Sequence, residues 1–381
     1  MAVTINGESF QYVQPFKYSS ALVGGTSGGA LPGILTHQSG INLDNGCLDS
    51  DGLRPTLNGS GDLRLCTNSD GTGRLAIDVL DFSPNADASL ATCDIRFEDP
   101  GWQNVADGWL YLFYGNASAT QPAAADTYGQ YATYHTSVLI ACPLNEGSNV
   151  TAVDRTSNGL DGTSNNVISE SGVVGNGRNF PGSNPGHILF PTSFTKPSSF
   201  TMSGWVKPDT WSTQNIIKHS DSAGSNGAQW GIIGVSASTI RIQVSNDVIS
   251  QTLNGDSWNS TQFPNSVWTH IAASANGTNL RIYRNGVESA SAIQTVANSG
   301  TLHTLALGRT GAQSSLYYNG GIDEFLLWTT DISADDLLTH YNMLNSQSTF
   351  FVMGETAGAG GSVGHILRPR GNLNCFQTMG I

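Results

Sequence analysis

The sequence predicts an all-β protein: an antiparallel β-sandwich or jelly roll, with a smaller N-terminal β-domain and extended termini. Short segments of alternating polar and apolar residues recur along the chain, which is the period-2 pattern of half-buried strands. Asn-Gly pairs, which favour the type I′ hairpin turn, occur ten times, seven of them from Asn158 to Gly320. Charged residues make up only 12% of the 381 residues, with Ser, Thr, Asn and Gly in their place, as many short strands joined by tight turns require.

Residues 1–45 read as an arm, because the run Val23-Gly24-Gly25-Thr26-Ser27-Gly28-Gly29-Ala30 leaves many backbone states open. A phosphate-cradling loop is disfavoured there, since no Lys-Ser/Thr end and no helix pattern follow. Residues 46–130 change to strands. Asp62-Leu63-Arg64-Leu65-Cys66, residues 74–80 and residues 93–98 alternate, and Trp109-Leu110-Tyr111-Leu112-Phe113-Tyr114 is apolar on both faces, as a central strand is. The stretches 62–75 and 111–123 resemble a small β-domain of uncharacterised function that precedes LamG domains in phage and bacterial surface proteins. Ser69-Asp70-Gly71-Thr72-Gly73 lacks the Glu of a calcium loop and reads as a tight turn.

Between 131 and 345, strands are predicted at 187–190, 200–206, 215–218, 229–235, 239–245, 267–274, 279–284, 304–308 and 321–328. A series of blocks in order is similar to the LamG / concanavalin-A-like jelly-roll family. They are an opening strand from Val138-Leu139-Ile140 to Leu144-Asn145-Glu146, the turn Asp154-Arg155-Thr156-Ser157-Asn158-Gly159-Leu160-Asp161-Gly162, the segment 175–182, the strand Phe200-Thr201-Met202-Ser203-Gly204-Trp205-Val206-Lys207-Pro208, Trp268-Thr269-His270-Ile271-Ala272, residues 280–286, and residues 321–328. Ser333 then reads as an N-cap with acidic Asp336 at the third helical position, opening a helix through Leu337, Leu338, Tyr341 and Leu344. The tail, 346–381, is Gly-rich from 354 to 364 and carries too few apolar residues for a core of its own.

The formal charge of −13, from 16 basic and 29 acidic side chains, disfavours nucleic acid as a partner, because a phosphate-binding surface needs a basic field. No segment reaches the roughly 18 apolar residues of a spanning helix, so membrane insertion is not expected. The N-terminus has no basic region followed by an apolar one, and so does not read as a secretory signal. Cys47, Cys66, Cys93, Cys142 and Cys375 are odd in number and lack CxxC spacing; they imply neither a thiolate zinc site nor a disulfide framework.

No catalytic residues are assigned. Some jelly rolls of the resembled class are glycoside hydrolases, whose retaining members need two carboxylates facing one cleft. The nearest pair, Asp323 and Glu324, is adjacent, and strict alternation sends adjacent side chains to opposite faces. A sialidase-type arginine triad is not evident. His270 reads as a hydrogen-bonded strand histidine, and His187, His219, His303 and His340 have no metal-set spacing. The resemblance implies Ca²⁺ as a possible cofactor, with Asp154 and Asp323 the candidate ligands; turn and strand hydrogen bonding is the other reading. It also implies glycan binding, for which Trp211, Trp230, Trp258, Tyr317 and Tyr318 are candidate platforms, while Trp205, Trp268 and Trp328 fit core strands.

The resulting expectation is a virion surface structural protein of a tailed phage, a capsid decoration or tail component. It would be made in the host cytoplasm and homo-oligomeric, contacting other virion proteins through its N- and C-terminal segments and host-surface glycans through the LamG-like domain. The rival readings are a stand-alone carbohydrate-binding adhesin and a glycoside hydrolase.

Overall fold

The computed structural model describes residues 2–36, 59–83, 92–183, 185–220, 230–234, 239–301, 303–310, 316–353 and 357–358. Cys47, Cys375, residues 37–45 of the expected arm and residues 359–381 of the tail lie outside the described residues.

The N-terminal unit contains β1 (Val3–Ile5), β2 (Glu8–Phe10), β3 (Tyr12–Tyr18), β4 (Gly33–Leu35), β5 (Arg64–Cys66), β6 (Arg74–Leu75), β7 (Ile77–Ser83), β8 (Thr92–Phe97) and β9 (Gly108–Tyr114). The sandwich follows with β10 (Val138–Cys142), β11 (Thr163–Asn165), β12 (Ile168–Ser171), β13 (Asn176–Pro181), β14 (His187–Leu189), β15 (Phe200–Pro208), β16 (Gln214–Ser220) and β17 (Trp230–Gly234). It continues with β18 (Ile240–Ser245), β19 (Ser250–Asn254), β20 (Thr269–Ala275), β21 (Asn279–Arg284), β22 (Val287–Ile293), β23 (Thr304–Leu307) and β24 (Asn319–Trp328). Then come α1 (Ala334–Asn345), α2 (Gln347–Phe350), β25 (Phe351–Met353) and β26 (Ala357–Gly358).

The sandwich has two antiparallel sheets. One runs β12-β13-β24-β15-β20-β21-β22 with β10 also on β24; the other runs β11-β14-β23-β16-β17-β18-β19. Between them lies a core that includes Phe180, Ile188, Phe200, Ile217, Ile242, Ile271 and Phe325. Asn285 and Gly286 turn β21 into β22 with φ of 52° and 75°, the left-handed pair that a type I′ turn needs. Not every Asn-Gly pair turns the chain: Asn176-Gly177 lies inside β13 and Asn319-Gly320 inside β24. Ser333 caps α1, its hydroxyl accepting from the Asp336 amide at 3.0 Å and donating to the Asp336 carboxylate at 2.9 Å, as predicted.

The expected N-terminal arm is corrected by the sheet order. β3 lies between β9 and β25, paired with β9 from Tyr12 opposite Tyr114 to Tyr18 opposite Gly108. It packs on both sides. Val13, with Phe10 of β2, joins Cys66, Tyr111 and Phe113, while Phe16 and Tyr18 join Trp102, Leu110 and Leu112. The physical reason is β9 itself, which is apolar on both faces and needs a neighbour on each edge; β5 supplies one and β3 the other. The glycine run is likewise docked: the Gly24 amide donates to Thr339 Oγ1 at 2.9 Å, and a Cβ there would lie 2.5 Å from the Asp335 carbonyl oxygen. The start of the expected tail also belongs to this unit, because Phe350 and Phe351 pack on Trp102 at 5.7 and 6.2 Å between ring centroids.

The two units meet over a continuous buried joint. One hydrophobic cluster unites Phe16, Leu35, Ile95 and Phe97 of the N-terminal unit with Val174 and Trp205 of the sandwich and Met343 and Leu344 of α1. Trp205 and Trp328 are buried as expected, but on the outer side of their sheet, and Trp268 is only half-buried. β8 alternates: Cys93, Ile95 and Phe97 face their own unit's core, so Asp94 and Arg96 face the other way. There Arg96 forms a buried ion pair with Glu324 of β24. Asp78, opposite Arg96 on β7, takes the guanidinium of Arg155, with Nε at 2.9 Å.

Because β3 is core, Phe16→Ala should destabilise the whole chain by about 3–5 kcal/mol, the usual loss for a buried phenylalanine. Urea unfolding would check this, and a change below about 1 kcal/mol would restore the arm.

Candidate functional site

The carboxylates singled out from the sequence are structural. β24 carries a bulge: Trp205 pairs with Asp323 and Ser203 with Leu326, so the register shifts between them. Glu324 sits at φ 51° in the bulge, and Ile322 and Phe325 both face the inter-sheet core. Asp323 and Glu324 are therefore side by side on the outer face, not on opposite faces as alternation predicts. Both are buried under the N-terminal unit. Asp323 accepts from the amides of Val173 at 2.6 Å and Val174 at 3.4 Å, and Glu324 accepts from Arg96. Burial pushes both carboxyls up, Asp323 further because of the Glu324 charge, while Arg96 works to hold Glu324 down.

Asp154 is spent on its own turn. Its carboxylate accepts from the amides of Ala141 at 3.0 Å, Thr156 at 3.1 Å and Leu160 at 2.9 Å, and from the Thr156 hydroxyl at 2.9 Å. Calcium needs several oxygen donors with free lone pairs converging on one point. The two aspartates are instead engaged by N–H and O–H donors, and no group of three or more His, Cys, Asp or Glu among the described residues could hold a metal. The residues present do not fit the ion.

The aromatic candidates do not form a platform. Trp230 is buried against Phe200 at 5.0 Å, Trp258 against Phe263 at 4.8 Å, and Tyr318 against Phe180 at 6.1 Å, its hydroxyl donating to the Gly321 carbonyl. All three belong to the inter-sheet core, so they cannot stack a sugar. Trp211 is half-buried on the same core, its indole N–H donating to the Phe263 carbonyl at 2.9 Å; Tyr317 is half-buried. Polar neighbours in sequence concealed this, because these rings fold back into the sandwich. His270 is buried without a hydrogen bond to either ring nitrogen. Its ring lies 5.4 Å from Trp205 and 5.7 Å from His340, whose nitrogens are also unpartnered.

An open cleft of about 450 Å³ does lie at the junction of the two units, within the size range of small-molecule sites. It is lined by the loop before β4, by Glu98 and Asp99 after β8, by the linker 131–136 and by the turn Thr156–Asn158. Tyr131 is 38% exposed there, enough ring to stack a ligand. His135 Nδ1 accepts from the Ser137 amide at 3.1 Å, so in the neutral ring Nε2 carries the hydrogen and can donate. Glu98 is exposed, and Asn158 anchors the turn by donating to the Leu139 carbonyl at 3.0 Å. Asp99 holds its loop shape by accepting from the Leu31 amide at 3.2 Å and the Gly101 amide at 2.7 Å. The sequence reading missed these residues. The aromatic-rich linker Tyr128-Gly129-Gln130-Tyr131-Ala132-Thr133-Tyr134-His135 was the available signal, but only the meeting of the units gives it walls.

Residues 182–337 match the concanavalin A-like lectin/glucanases superfamily, so the sandwich carries a domain of that class. Among solved structures the chain is similar to the binding domain of Paraclostridial Mosquitocidal Protein 1, at 14% identity and TM-score 0.44 over 54% of this chain and 52% of that one. It is also similar to domain 4 of AbnA, a GH43 extracellular arabinanase from Geobacillus stearothermophilus in complex with arabinotriose, at 19% identity and TM-score 0.40 over 54% of this chain and 98% of that one. A third is the botulinum neurotoxin serotype C1 binding domain, at 18% identity and TM-score 0.43 over 55% of this chain and 52% of that one. The matched part thus spans about half the length of the toxin binding domains. No curated protein sequence matches it.

Two outcomes follow from the buried groups. Asp154→Ala should cost roughly 2–4 kcal/mol, because buried amides lose their acceptor, and the melting temperature of the unaltered chain should be the same in calcium and in EDTA. A calcium-dependent rise of several degrees would show a site that the described donors do not provide. His340 is held neutral, its pKa lowered to about 3 by burial and by the Arg96 charge. A histidine depressed in the folded state contributes stability that is present above its unfolded pKa of about 6.5 and is lost as pH falls towards the folded value. Between pH 6.5 and 3, His340→Phe should therefore lose stability less steeply than the unaltered chain, by about 1.4 kcal/mol per pH unit. Parallel slopes in denaturant titrations at several pH values would show that His340 does not titrate in this way.

Proposed function

We propose that this chain is a non-catalytic carbohydrate-binding protein displayed on the surface of a tailed-phage particle, as a capsid decoration or tail component, where it touches host-surface glycans. The observation that carries the binding role is the cleft at the junction of the units, with the exposed face of Tyr131 beside the hydrogen-bonding groups of His135 and Glu98. Sugars bind through this combination: the ring's apolar C–H face stacks on an aromatic, and the hydroxyls pair with fixed donors and acceptors. The lectin/glucanase class of the sandwich supports the same reading. The non-catalytic part is supported by the fate of Asp323 and Glu324, which are buried at the joint and held by amides and Arg96, out of reach of a polysaccharide.

The particle placement is supported by the resemblance of the small β-domain and LamG-like pair to phage surface proteins. Homo-oligomeric assembly and contacts to other virion proteins belong to the same proposal. With β3 and the glycine run built into the fold, the docking role proposed here shifts to the C-terminal Gly-rich segment.

The direct test is a glycan array with the full chain, followed by titration of Tyr131→Ala. Loss of a stacking contact of about 1.4 kcal/mol should weaken binding about tenfold, with the melting temperature unchanged. An array on which no saccharide binds would refute the reading. Immunogold electron microscopy that finds the protein free rather than on particles would favour a stand-alone adhesin instead.

A further inference from the structure

We propose that the cleft selects uncharged saccharides over anionic ones, an inference that rests on reading the cleft as a glycan site. Its charge carries the argument. Among the described residues that line it there is no Lys or Arg, while Glu98 and Asp99 both belong to the lining. The guanidinium groups closest along the chain to the lining residues, Arg96 and Arg155, are held by Glu324 and Asp78. Asp99 is engaged by the amides of Leu31 and, in its own loop, Gly101. Glu98 is exposed, its Oε2 accepting from the Ala76 amide at 3.3 Å. The chain behind them carries a formal charge of −13.

A neutral sugar suits these groups. Tyr131 takes its apolar face, the Glu98 carboxylate accepts from its hydroxyls, and His135 Nε2–H donates to a ring or hydroxyl oxygen. A sialic acid, uronate or phosphate instead places a negative charge near two acidic side chains, with no cation among the described lining residues to answer it. At a separation of about 6 Å and an intermediate dielectric, each such charge weakens binding about tenfold. Because the effect is Coulombic, it shrinks as salt shortens the screening length. It also shrinks when Glu98 is replaced by Gln.

The experiment titrates the full chain with matched pairs: lactose and sialyllactose, maltotriose and phosphorylated maltotriose, xylotriose and a glucuronate-bearing xylotriose. Each pair is measured at low and high salt, with Tyr131→Ala and Glu98→Gln alongside. The inference expects the neutral member to bind at least about tenfold tighter, with the gap narrowing in high salt and in Glu98→Gln and all binding weakened in Tyr131→Ala. Equal or tighter binding of the anionic members at the Tyr131-dependent site would overturn the selectivity and leave the glycan reading standing. Binding that survives Tyr131→Ala, or no binding of any member, would overturn both.

Discussion

The architecture depends on one irregularity in one strand. The bulge at Asp323 and Glu324 puts two consecutive carboxylates on the outer face of β24. A left-handed non-glycine residue is strained and persists only where its surroundings hold it. Here Asp323 ties down the backbone at 173–174, and Glu324 meets the Arg96 guanidinium reaching across from the other unit. A buried ion pair adds little net stability over an apolar substitute, but removing one partner strands a charge in the interior. The pair therefore acts chiefly on geometry: it specifies which face of β8 meets which stretch of β24. The register of the joint, and with it the cleft at its rim, follows from that match.

Apolar packing then makes the joint continuous. Trp205 lies under Tyr341 of α1, with rings 5.6 Å apart, and Trp102 gathers Tyr18, Phe97, Phe350 and Phe351 from both ends of the chain. Trp230, Trp258 and Tyr318 are consumed by the inter-sheet core. Recognition is left to a smaller ring, Tyr131, at the seam where two polar loops and a linker converge. The unpartnered imidazoles of His270 and His340 lie together beside Trp205 and Tyr341, where burial keeps histidine neutral.

The central strands were legible and the edge strands were not. β15, β20, β21 and β24 announce themselves by apolar alternation because they bury at least one face. The unpredicted β11, β12, β19 and β22 are the outer strands of the two sheets, and their polar residues have exposed or partly exposed surroundings, as the pattern of Val287–Ile293 illustrates. Edge strands carry polar faces and gain order from a neighbour's ladder rather than from their own burial, so periodicity is silent there. β3 failed for another reason. It is buried on both faces, so Tyr12-Val13-Gln14-Pro15-Phe16-Lys17-Tyr18 shows no polar–apolar alternation, and its partner lies far along the chain in β9.

By itself, then, the sequence determined the all-β class, the hairpin turn at Asn285-Gly286, the capped helix at Ser333 and the strands with a buried face, because each depends on residues close in the chain. Tertiary structure alone decided what the polar face of β8 meets and that Asp323 and Glu324 share a face. It also decided that Trp230, Trp258 and Tyr318 are core, and that Tyr131, His135, Glu98 and Asn158 border one cleft. These outcomes are set by contacts between residues distant in sequence, and a strand's own pattern records that a face is polar without recording whether water or another strand will cover it.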